Sequence, residues 1–66
     1  MNKKQLLQLI QITLKDEITI NDINIISALS QAQKNELIIA SQSYCLNHGF
    51  IYYINPSLGL DYEIID

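Results

Sequence analysis

The sequence predicts an α+β domain of 66 residues: a core of three helices, or two if the later ones are continuous, with a C-terminal two-stranded antiparallel hairpin. Three observations predict it. Leu6, Leu7, Ile10 and Leu14 recur at the three- and four-residue spacing of a buried helical face. Capping patterns at Thr19 and Ser30 precede further apolar-periodic stretches. Residues 50–54 and 60–65 are rich in aromatic and β-branched side chains, on either side of Asn55-Pro56-Ser57-Leu58-Gly59.

Along the chain, residues 2–15 read as an amphipathic helix with Gln5, Gln8, Gln11 and Lys15 on its polar side, and Leu9 and Ile12 widening the apolar one. So wide a face predicts burial against two surfaces, one of them another chain. Ile18, Thr19 and Ile20 are β-branched and suit a short extended segment. Thr19 and Asp22 have the spacing of a capping box, with Asn21 as an alternative cap, so a second helix runs on through Ile23, Ile26 and Leu29. Ser30 and Gln33 form a closer match to that box and start a third helix at Gln31. Its core stripe is Leu37, Ser41, Tyr44 and His48, with Ile38, Ala40 and Cys45 beside it, and Gly49 ends it as a left-handed residue.

In the hairpin, Pro56 presets φ, Asn55 bonds its own backbone and Gly59 takes a positive φ. Alternation places Phe50, Tyr52 and Ile54 toward the helices on the first strand, and Leu60, Tyr62 and Ile64 on the second. Ile51, Tyr53, Asp61 and Glu63 then share the open face, and these four are the candidate partner-binding residues. The order helix, extended segment, helix, helix, hairpin resembles a winged helix, which implies residues 31–47 as a recognition helix and the hairpin as its wing. The resemblance is architectural and rests on no sequence motif.

Charge and composition exclude several classes. Seven acids outweigh four lysines, arginine is absent, and the net charge is −3. Lys3, Lys4 and Lys15 lie in the first fifteen residues, whereas Lys34 shares the remainder with every acid. Lack of arginine argues against a nucleic-acid reader, because its planar fork makes the bidentate phosphate and guanine contacts. Gln31, Gln33, Asn35 and Gln42 suit adenine edges, but DNA binding would need a dimer that gathers Lys3, Lys4, Lys15 and Lys34 on one side. The apolar stretch after Lys4 is interrupted by Gln8 and Gln11 and reaches Lys15-Asp16-Glu17 without a small-residue cleavage site, so no secretion signal is expected. No run approaches the ~18 apolar residues of a membrane span. One free cysteine suits a reducing compartment, and the cytoplasm is expected.

Cys45 and His48 lie three residues apart, but zinc takes about four ligands, and the sequence holds no second Cys or His. The expectation is a packed Cys45 and a helix-capping His48, with no metal, no other cofactor and no catalytic site. The paired acids Asp16-Glu17 and Asp61/Glu63 read as solvated charge, since so short a chain has little room for a substrate cleft. The remaining class is a small acidic, non-enzymatic, cytoplasmic protein-binding module that occludes or recruits a larger partner, as small regulators, immunity proteins and phage-encoded inhibitors do. Ile and Leu supply a third of the chain, which also predicts a homodimer through the first helix or an obligate partner. The alternatives are a dimeric winged-helix DNA-binding regulator and a structural subunit whose oily first helix inserts into an assembly.

Overall fold

Three helices and a 3₁₀ turn make up the secondary structure of a computed structural model that describes residues 1–51 and 53–60. Helix α1 spans Lys3–Thr13, α2 Ile20–Ser27 and α3 Gln31–His48, and the 3₁₀ turn is Pro56–Leu58. Helix α1 packs against α3, and the 3₁₀ turn packs against α2.

Local chemistry sets each boundary. The Asn2 side chain accepts from the Gln5 amide at 2.7 Å and caps α1. Both bonds of a capping box are present at Thr19 and Asp22, and both again at Ser30 and Gln33, so α2 and α3 are separate helices. Ile18 and Thr19 form no strand: Thr19 is the cap of α2, and Ile20 is its first helical residue. Gly49 ends α3 at φ 72°, and the Phe50 amide donates to the Cys45 carbonyl at 2.9 Å. This is the 6→1 bond of a Schellman motif, which a residue free to enter the left-handed region completes without strain.

The α+β class, the hairpin and the winged-helix arrangement are corrected by this structure. Among the described residues there is no strand. The turn chemistry at Asn55–Gly59 operates as expected: Asn55 Oδ1 accepts from the Ser57 amide at 2.9 Å, and Gly59 has φ 69°. It shapes a 3₁₀ turn that puts Leu58 against α2, rather than the bend between two paired strands. Residues 50–54 do not keep to the expected faces either. Phe50 is exposed, while Ile54 is fully buried. A two-stranded hairpin is marginal by itself. Here separate apolar anchors on the helices replace the ladder. Most of the second strand, from Asp61 on, and Tyr52 lie outside the described residues.

The core joins Leu9 and Ile10 of α1, Ile26 of α2, Leu37 of α3, and Ile54, Leu58 and Leu60 of the segment that follows. Leu6, Ile12 and Leu14 pack at its edge, so most of the apolar side of α1 is covered within the chain. Two buried hydroxyls also cross the α1–α3 contact. Thr13 donates to the Ile10 carbonyl at 2.7 Å, and Ser41 Oγ lies 3.2 Å from Thr13 Oγ1. Because the Thr13 proton is committed to the carbonyl, Ser41 is the donor across the contact.

The loop between α1 and α2 is closed by Asp22. Its Oδ2 accepts from Lys15 Nζ at 2.8 Å and from the Thr19 amide at 3.0 Å. The lysine hydrogen bond, then the Thr19 backbone bond, hold this carboxyl below the ordinary carboxylate range, against the opposing effect of burial.

Two outcomes follow from this architecture. Leu58→Ala should lower stability by about 2–5 kcal/mol in urea denaturation followed by circular dichroism, as deletion of a core leucine does. A variant as stable as the parent would show that the segment does not belong to the core. For Asp22 the folded pKa is the depressed one. Its contribution is therefore complete above the ordinary carboxylate pKa, and is lost as pH falls below that value through the lowered folded pKa. Denaturation midpoints of the parent and Asp22→Asn should differ at neutral pH and converge in acid; a gap that persists in acid would contradict the assignment.

Candidate functional site

Helix α3 is the longest element, and its sides differ sharply. Leu37, Ser41 and Cys45 face the core. Ile39 and Leu46 lie seven residues apart, nearly two turns, and point away from it at 62% and 82% exposure. Ala32, Asn35, Glu36 and Ser43 share this outward side, which therefore carries one acid and no cation. Lys34, the other charged residue of α3, lies on the side of Leu37 and Ser41 and is half-buried.

A second apolar surface begins where α3 ends. The rings of Tyr44 and His48, one turn apart, stack at 4.0 Å between centroids. Phe50 stacks near both at 6.3 Å. A hydrophobic contact between Phe50 and Tyr44 is the usual companion of a Schellman cap, and it takes Phe50 out of the expected strand. His48 Nδ1 lies 2.8 Å from the Tyr44 carbonyl. A carbonyl only accepts, so Nδ1 carries the proton. Beyond Phe50, Ile51 is 92% exposed and Tyr53 58% exposed, and Ile54 then returns to the core.

The structure thus places Ile51 and Tyr53, two of the four sequence candidates, on the surface; Asp61 and Glu63 lie outside the described residues. The sequence reading missed Ile39 and Leu46. The stripe of Leu37, Ser41, Tyr44 and His48 lies on the other side of the helix. The seven-residue spacing of Ile39 and Leu46 opposite that stripe was the available signal.

Cys45 and His48 do not form a joint site. Cys45 is buried, and burial pushes its thiol up, away from the reactive thiolate, whereas the His48 ring lies at the surface against Tyr44. Among the described residues, no group of three or more His, Cys, Asp or Glu side chains is placed to hold a metal ion. Asp16 and Glu17 are exposed on the loop before α2. No helix among the described residues is long and apolar enough to cross a membrane. Comparison with protein-family models, with curated proteins and with solved structures returns no match.

The site's geometry depends on the left-handed cap. No atom lies within 4 Å of where a Cβ on Gly49 would sit, so a side chain there meets backbone strain rather than a clash. Gly49→Ala should therefore cost about 1–2 kcal/mol in denaturation experiments. An unchanged midpoint would mean that the positive φ is not held in solution.

Proposed function

We propose that this chain is a small, non-enzymatic, cytoplasmic protein-binding module that binds and occludes a larger protein partner. Its contact edge is the segment containing Phe50, Ile51 and Tyr53. One observation carries the reading: large apolar and aromatic side chains stand exposed on a segment tied down at both ends, by the Phe50–Cys45 backbone bond on one side and buried Ile54 on the other. A segment held in this way loses little conformational entropy on binding. Exposed tyrosine and phenylalanine beside a β-branched residue are the side chains that dominate protein interfaces. The sequence adds Asp61 and Glu63, which would meet basic groups at the partner's rim.

A protein suits this surface better than a nucleic acid. The outward side of α3 presents Ile39 and Leu46 and no cation, whereas backbone binding to DNA or RNA relies on lysine and arginine at phosphates.

Affinity capture with the tagged chain from a nuclease-treated lysate of its native cells should retain one protein in stoichiometric amount. Tyr53→Ala should reduce that retention about tenfold, an interface hot-spot effect, and leave the thermal midpoint within about a degree of the parent. Loss of the midpoint along with the partner would place Tyr53 in the fold rather than in a contact.

A further inference from the structure

We propose that residues 54–60 form a strap that lifts off the helices and returns as a single unit while the α1–α3 pair stays folded. This opening rests on how the strap is held, not on what binds the edge at Phe50–Tyr53.

The strap's polar bonds are its own. The Leu58 amide donates to the Asn55 carbonyl at 3.1 Å, the Gly59 amide to the Pro56 carbonyl at 3.0 Å, and the Ser57 amide to Asn55 Oδ1 at 2.9 Å. Among the described residues, no hydrogen bond or ion pair joins the strap to a helix. Burial of Ile54, Leu58 and Leu60 holds it there instead. Apolar burial is non-directional. The strap can therefore lift without breaking a hydrogen bond to the helices, and its turn stays satisfied when it does.

The joints between the helices differ. Helices α1 and α3 share the Thr13–Ser41 hydroxyl contact inside their interface, and α2 is tied to the end of α1 through Lys15 and Asp22. Opening either joint loses polar bonds as well as burial. Partial openings of a native protein begin where such ties are fewest. The chain before the strap suits a hinge, because Phe50, Ile51 and Tyr53 are exposed and the Phe50–Cys45 backbone bond fixes its start at the end of α3. An open strap uncovers the Ile26 side of α2, against which the 3₁₀ turn packs. It also frees the exposed edge at its Ile54 end, so the order of that edge depends on the same equilibrium.

Thiol labelling of the whole chain with a chromogenic disulfide reagent tests the proposal, with buried Cys45 on α3 as the reference within each chain. Leu58→Cys and Leu60→Cys each place a thiol beneath the strap, and Leu37→Cys places one on the core side of α3. In both strap variants the introduced thiol should react about a hundredfold faster than Cys45, because it needs only the partial opening. Its rate should also rise with urea less than half as steeply, since the strap exposes a small part of the surface that global unfolding exposes. The thiol introduced by Leu37→Cys should follow Cys45 in rate and in slope. Circular dichroism matching the parent qualifies each variant, and either strap variant is sufficient if the other fails to fold. Strap thiols that react at the rate of Cys45, or with its urea dependence, overturn the proposal, because the segment then opens only when the whole chain unfolds. A Leu37→Cys thiol as fast as the strap thiols also overturns it, since the α1–α3 pair would not stay closed.

Discussion

None of the described helices can bury its own apolar side, and in this fold they do so against one another and against the segment at residues 54–60. Ile26, Leu37 and Ile54 are fully buried, and each comes from a different segment. Helix α2 has eight residues and α1 eleven, lengths at which an isolated helix is marginal in water. Their stability is therefore tertiary. The segment ending in Leu58 and Leu60 covers α2 on one side, while α1 and α3 pack against each other. Loss of any one member uncovers the others.

Polar groups refine this apolar junction at two points. The Thr13–Ser41 hydroxyl pair lies inside the α1–α3 contact, where every donor and acceptor must find a partner. A satisfied pair of this kind fixes the register of one helix against the other, because a slipped register would bury both hydroxyls unpaired. Asp22 acts at the loop. One carboxylate oxygen serves both the cap of α2 and Lys15 beyond the end of α1, so the direction of the second helix is tied to the end of the first.

Besides Leu7, Ile20 and Ile25, the large apolar side chains that this junction leaves exposed form two separate surfaces. Phe50, Ile51 and Tyr53 project where the chain leaves α3, and Ile39 and Leu46 project from its outward side. Exposed apolar side chains grouped in this way mark contact surfaces, whereas single ones need no explanation. The proposed module uses the first of these, the aromatic edge, as its contact with a larger protein. Neither surface involves Cys45 or the Asp16-Glu17 pair.

Sequence alone determined where the helices lie to within about two residues of their ends, though it left open whether the second and third were one. Asn2, Thr19 and Ser30 cap with their own side chains, and Gly49 and Gly59 adopt positive φ because they lack a Cβ. These are local chemical events, legible within four or five residues. It also marked Ile51 and Tyr53 as surface residues, although from a strand alternation that the fold does not use. Only the tertiary structure decided what the apolar run at residues 50–54 does. Alternation put both Phe50 and Ile54 on the buried side, but the contact of Phe50 with Tyr44 after the helix cap leaves Phe50 exposed and only Ile54 buried. The partner of Ile54 is a core assembled from Leu9, Ile26 and Leu37, which lie far away along the chain. In the same way, the outward position of Ile39 and Leu46 follows from which side of α3 meets α1. A helical stripe shows that a face is apolar, but the packing of the other elements decides which apolar face is covered and which is left exposed.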